Sequence, residues 1–146
     1  MGLFDAIDAS ASGLSAERLR MDVTAENLAN AQTTRGANGG AYRRKEVVLQ
    51  ERGEDGFASV LGTAMGRASA SKGVQVAGVA ESQEPMRKVY DPGHPDADRD
   101  GYVEMPNVNS VTEMVDLISA SRAYEADVTA MQTAKQMFSR TIDLLR

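Results

Sequence analysis

The chain has 146 residues, 25% of them charged with a formal net charge of −5, and 42% apolar against only 5% aromatic, with no Trp. That length suits a single domain, yet so few bulky side chains favour a thin or elongated molecule over a compact enzyme. No basic excess exists to condense on phosphate or anionic lipid, so nucleic acid is excluded as the expected partner. The absence of cysteine removes disulfides, thiolate metal sites and cysteine nucleophiles.

The first residues, Met1-Gly2-Leu3-Phe4-Asp5, lack the basic and continuous apolar regions of a cleavable secretory leader, so none is expected. No apolar run approaches the roughly 20 residues that span a bilayer, and no membrane insertion is expected. From Leu3 to about Asn30, the side chains Phe4, Ile7, Ala11, Leu14, Met21, Ala25 and Leu28 recur at steps of three and four, with Arg18 interrupting. This predicts a heptad seam on one long helix. Asp5 and Asp8 sit in its first turns, where the helix dipole favours carboxylates. Gly13 inside it costs about 1 kcal/mol relative to Ala or admits a close neighbour. Asn30-Ala31-Gln32-Thr33-Thr34 ends the periodicity.

Between the termini the pattern changes. Tyr42–Leu49 and Gly73–Val79 read as strands, the second with period-two alternation, and Met86–Tyr90 as a third, while Gly36, Gly39, Gly40, Gly53 and Gly56 punctuate turns. Glu51–Ser71, rich in Gly, Ala and Ser, reads as a loop with room for a short helix over Phe57–Met65. The expected architecture is α+β, a small β-rich module inserted between two terminal helices.

The C-terminal helix announces its start in Ser110-Val111-Thr112-Glu113, which has the form of a capping box. From there Met114, Leu117, Ser121, Tyr124, Val128, Met131, Lys135, Phe138, Ile142 and Leu145 again alternate by three and four without Pro or Gly. At 1.5 Å per residue it would run about 50 Å. Neither amphipathic helix can bury its stripe alone, and each hidden Leu or Ile is worth roughly 1.5–3 kcal/mol. The helices therefore need each other, other subunits, or both. Arg18 and Lys135 occupy seam positions, where a polar residue specifies register or partner, or snorkels its charge to the surface.

Motifs with chemistry are incomplete. Asp96-Ala97-Asp98-Arg99-Asp100-Gly101 matches the first half of an EF-hand loop, but position twelve is Asn107 where a bidentate Glu is wanted, and Pro92, Pro95 and Pro106 break the flanking pattern. Gly66–Lys72 lacks the second glycine and the hydroxyl of a phosphate loop. His94, the single histidine, lies between Gly93 and Pro95 with no nucleophile motif to serve. Glu51, Glu54 and Asp55, like Asp96–Asp100, read as solvated charges rather than a carboxylate pair across a cleft. Met21, Met114, Met131 and Met137 fall mostly at helical spacing, where packing is their ordinary use. No catalytic residue, cofactor, metal or small-molecule substrate is expected.

Two blocks of residues carry a resemblance. Ser12–Arg18 and Met21–Thr33, with Asn27-Leu28-Ala29-Asn30-Ala31-Gln32-Thr33 at the core, resemble the N-terminal signature of flagellar rod, hook and hook-associated proteins. Asp91–Asp98, Gly101–Asn109, Glu113-Met114 and Ser119–Ala126 narrow the likeness to the basal-body rod proteins of the proximal rod, and Tyr42–Lys45 and Val79–Ser82 match more loosely. The likeness covers nearly the whole chain and is weakest over Glu51–Ser71. It implies a non-enzymatic subunit exported by the flagellar type III apparatus, stacked helically with itself and with proximal and distal rod proteins. It further implies a neighbouring FliE adaptor on the MS-ring side, location in the rod within the periplasm or cell-wall space, and a role in carrying torque from motor to hook. It also implies that the terminal helices pair as an antiparallel coiled coil, with the β module outside. The expected division is residues 1–34 (rod helix and signature), 35–109 (β-rich module) and 110–146 (second rod helix). The expected assembly interface is Ile7, Leu14, Met21, Asn27, Leu28 and Asn30 on the first segment. On the last it is Met114, Leu117, Tyr124, Val128, Met131, Phe138 and Ile142.

Overall fold

Helix α1 covers Leu3–Ala29 and ends where the heptad pattern stops. The computed structural model describes residues 3–36, 39–52 and 73–144. Asn30 closes the helix: its side-chain amide and its backbone N–H both donate to the Glu26 carbonyl, at 2.9 and 3.0 Å. Thr33 then donates its N–H to the Asn30 carbonyl and its hydroxyl to Asn30 Oδ1. An asparagine is suited to this place because its short amide can reach back one turn to add a second bond to the Glu26 carbonyl, while its own carbonyl and Oδ1 take up the turn that follows.

Four short strands follow: β1 (Lys45–Glu51), β2 (Val74–Glu81), β3 (Arg87–Tyr90) and β4 (Tyr102–Met105). They form two separate two-stranded antiparallel sheets, β1 with β2 and β3 with β4. In the first, Val47 stands opposite Val79 and Glu51 opposite Val74, with a bulge between Val48 and Leu49. In the second, Tyr90 pairs with Tyr102, their rings edge to face at 5.3 Å. Gly101 closes that hairpin at φ +80°, and a Cβ there would stand 2.8 Å from the Tyr90 ring. Strand β4 is an element the sequence reading did not separate, although Tyr102-Val103-Glu104-Met105 behind a turn glycine carries the alternation: Val103 is buried while Tyr102 and Glu104 are exposed. The proposed loop over Glu51–Ser71 and its short helix lie almost entirely outside the described residues.

Helix α2 spans Ser110–Leu144. Its start corrects the capping-box reading. Asn109, not Ser110, is the N-cap: its Oδ1 accepts from the N–H of Val111 at 3.0 Å, and its carbonyl accepts the Glu113 N–H. Glu113 does not fold back on the helix start, because its carboxylate is drawn into the interior by two stronger donors.

The interior is thin, as the composition requires. Among the described residues the buried apolar set is Ala16, Val23, Val103 and Ala120, accompanied by buried Ser12, Thr24, Asn27 and Glu113. Strand β2 is fastened to α1 through Ser12, whose Oγ accepts the Val74 N–H at 3.0 Å and donates to the Ala9 carbonyl at 2.7 Å. That approach requires Gly73, at φ +106°, since a Cβ there would fall 2.2 Å from Ser12 Oγ and 3.1 Å from Ala9 Cα.

Candidate assembly interface

The helices pack along one another in opposite chain directions. Asn27 bonds Glu113 at one end, and at mid-length the Asp127 carboxylate lies against Gly13, where a Cβ would meet Oδ2 at 2.6 Å. Towards the other end, Ala6 shares an open cleft of about 800 Å³ with Ala130, Thr133, Ala134 and Met137. Gly13 is thus a notch for a carboxylate rather than for a neighbouring backbone.

Of the thirteen residues expected at the interface, Asn27 alone is fully buried. Ile7, Leu14, Met21, Leu28 and Asn30 are half-buried on the first segment, and Leu117, Tyr124, Val128 and Met131 on α2. Met114, Phe138 and Ile142 are 51%, 40% and 47% exposed. The geometry explains the split. Ile7, Leu14 and Leu28 each follow by one residue the positions that meet α2, namely Ala6, Gly13 and Asn27, a rotation of about 100°. The bulky stripe of α1 therefore flanks the contact, and a line of small and polar residues occupies its centre. Arg18 and Lys135 both face solvent.

The centre of that line is a polar cluster. Asn27, 1% exposed, uses its whole hydrogen-bonding capacity. Nδ2 donates to the Lys45 carbonyl at 2.8 Å and to Glu113 Oε2 at 3.0 Å, while Oδ1 accepts the Lys45 N–H and the Tyr42 hydroxyl, each at 2.9 Å. The two bonds to Lys45 imitate a strand neighbour at the edge of β1. Glu113, also 1% exposed, accepts Arg44 Nε on its other oxygen at 2.6 Å. Arg44 reaches Asp116 at 3.4 Å as well, and its backbone N–H is held by Asn107 Oδ1 at 2.8 Å. Three remote segments are joined at one point, and the buried carboxylate is paired and bonded at both oxygens, the condition under which burying a charge is tolerable.

The electrostatics agree. The hydrogen bond to Glu113, outweighing burial, raises the Arg44 guanidinium. Burial, then the nearby Glu26 carboxylate, pushes the Tyr42 phenol up, and the bond to Glu26 Oε1 at 2.6 Å does the same for the Lys45 ammonium. Reading the sequence by bulky apolar residues missed Arg44, Glu113, Ala16 and Ala120. The signal available for Arg44 was three successive cations, Arg43-Arg44-Lys45, at the head of a strand.

The motifs weighed for chemistry are occupied with loop structure. Asp96 accepts the Thr34 hydroxyl at 2.8 Å and pairs with Arg35, and His94 Nδ1 accepts the Asp96 N–H. Among the described residues no group of three or more His, Cys, Asp or Glu is arranged to hold a metal ion, and no helix is long and apolar enough to cross a membrane. Gly66–Lys72 lies outside the described residues. What the surface does offer is apolar side chains on α2: Val111, Met114, Val115 and Ile118, 51–71% exposed on one face of its first turns, and Met137 and Ile142 near its end.

Comparison with known proteins gives a consistent likeness. Residues 7–37 match the family described as Flagella basal body rod protein, and residues 99–144 match Flagellar basal body rod FlgEFG protein C-terminal. The flagellar basal-body rod protein FlgC of Bacillus subtilis is 46% identical over 149 residues, covering 99% of each chain. That of Borreliella burgdorferi is 42% identical over 156 residues, covering 100% of this chain and 99% of its own, and that of Salmonella typhimurium 44% over 144 residues, covering 99% and 98%. These relatives are named for a place in a structure and not for a reaction.

Proposed function

The chain belongs to the FlgC family of flagellar basal-body rod proteins, structural components of the rod, and we propose from that premise that it polymerises through its terminal helices after export by the flagellar type III apparatus. It would stack in the proximal rod, across the periplasm or cell-wall space, against itself, other proximal and distal rod proteins and the FliE adaptor, and pass torque from motor to hook. The observation that supports this reading is the incomplete burial of α2. A helix of 35 residues keeps Val111, Met114, Val115, Ile118, Met137 and Ile142 largely in water while its partner helix is already in place. Apolar surface of this kind is a cost to an isolated subunit and a gain on assembly.

On this reading residues 1–34 and 110–146 form the helical wall as an antiparallel coiled coil, and 35–109 project from it. Ile7, Leu14, Met21 and Leu28, flanking the helix pair, meet one neighbour, and Leu117, Tyr124, Val128, Met131, Phe138 and Ile142 another. Ends that are loosely held before assembly also suit passage through a narrow export channel. The test is complementation of a strain lacking the subunit. Leu28→Asp places a charge where a neighbour's apolar surface is expected and should abolish motility while the protein is still exported. Normal swimming with this variant would remove Leu28 from the interface, and loss of export would point to a defect upstream of assembly.

A further inference from the structure

The contacts Asn27 with Glu113 and Gly13 with Asp127 lie two heptads apart on both helices. Stepping along the same line, Ala120, fully buried, falls level with Arg20, and Ala134 level with Ala6, with which it lines one cleft. At their own levels Ala6, Ala120 and Ala134 are too small to distinguish one heptad setting from the next. Slipped settings are even rewarded at one point. Sliding α2 by one heptad, about 10 Å, in either direction brings a carboxylate level with Arg20, Glu113 in one case and Asp127 in the other. In the present setting Arg20 pairs, among the described residues, within its own helix, with Glu17 at 2.9 Å. We infer that the buried cluster of Asn27, Glu113 and Arg44 is the register key of the helix pair, the contact that selects one heptad setting over its two neighbours.

The cluster can act this way because its partners are not periodic. Among the described residues Arg44, just before β1, and Lys45, its first residue, bond Glu113 on α2 and Asn27 on α1, and no other member of the line between the helices. A slide of α2 in either direction breaks the Asn27 bond to Glu113 and takes both Glu113 oxygens from their donors in a dry interior, whereas the levels of Ala120 and Ala134 lose little. Single buried polar residues fix register in coiled coils for the same reason. The inference concerns the subunit by itself and stands independently of its role in the rod.

The chain has no cysteine, so introduced pairs report the setting cleanly. Ala16→Cys with Tyr124→Cys are level now, and Ala16→Cys with Met131→Cys become level after one slide. Two backgrounds decide the matter: Glu113→Ala with Ala120→Glu, which moves the carboxylate by one heptad, and Asn27→Leu with Glu113→Leu, which removes the key. Thiol cross-linking of the full-length chain should favour the first pair in the parent. In the moved-key background the ratio of second to first should rise by at least about tenfold, the factor carried by about 1.4 kcal/mol, and the Leu background should give both products. An unchanged ratio in the moved-key background overturns the proposal. So does loss of the helical circular-dichroism signal in both backgrounds, since the cluster would then hold the helices together rather than choose their setting.

Discussion

The two ends of the helix pair are built by different rules. At the Asn27 end, α1, α2 and the segment before β1 converge on a polar cluster in which Asn27 and Glu113 are almost wholly buried and Asn27 has no unused donor or acceptor. At the Ala6 end, alanines and threonines line an open cleft, and Met137 and Ile142 stand 57% and 47% exposed. Within the helix pair, one end is pinned by bonded, buried polar groups and the other stands open. Local stability should follow the same gradient, because opening free energy tracks how many buried and bonded groups must be released.

The sharpest way to break the comparison is Glu113→Ala. It leaves one donor of Asn27 without its acceptor in the interior and leaves the partly exposed Arg44 guanidinium only its longer pairings with Asp116 and Glu46, and should lower unfolding free energy by about 1–3 kcal/mol in urea titrations. A loss under about 1 kcal/mol would mean the cluster contributes no more than a surface ion pair.

Gly73→Ala comes next. Its φ of +106° and the contact with Ser12 Oγ forbid a Cβ, so the variant should lose more than about 1 kcal/mol and loosen β2 from α1, seen as faster amide exchange at Val74.

A smaller effect is expected in alkali. Tyr42 and Lys45 both have folded-state values raised above their ordinary 10.0 and 10.5, so the folded chain holds these protons more tightly than the unfolded one. Their contribution is therefore complete below about pH 10 and is lost as pH rises through the raised values. The melting temperature should fall above pH 10, and Tyr42→Phe should shallow that fall while costing about 1 kcal/mol at neutral pH for the hydroxyl bond to Asn27. An identical alkaline slope in the variant would remove Tyr42 from the account.

Ile142→Ser sits at the open end and should change the stability of the isolated chain by no more than about 0.5 kcal/mol. If that substitution unfolds the subunit, the open end is already structural and the contrast between the ends fails.

Much of this architecture was legible in the order of residues. Period-three-and-four spacing gave both helices to within a few residues, and three of the four strands were read from their residue types and flanking turns, one of them also from period-two spacing, because burial on one face of a regular element writes its period into the chain. The end of α1 was read at Asn30, and the cap at Asn109 was within reach, but Ser110-Val111-Thr112-Glu113 offered a more familiar pattern. Local pattern could not show that Glu113 would be claimed by Arg44, 69 residues earlier, at 2.6 Å. For the same reason the seam of α1 was read from Ile7, Leu14, Met21 and Leu28, whereas the contact with α2 runs through Ala6, Gly13 and Asn27. Small residues are silent in a hydrophobicity pattern yet are the ones that let two backbones come close.

Sequence alone thus determined that this protein would be two long amphipathic helices around short strands, and its signature blocks carried the family, since periodicity and motif are properties of neighbours along the chain. Tertiary structure decided which faces of those helices meet, which carboxylate is buried, and which apolar residues remain in water. Those outcomes depend on groups dozens of residues apart competing for the same few donors, and only the folded chain brings them within reach of one another.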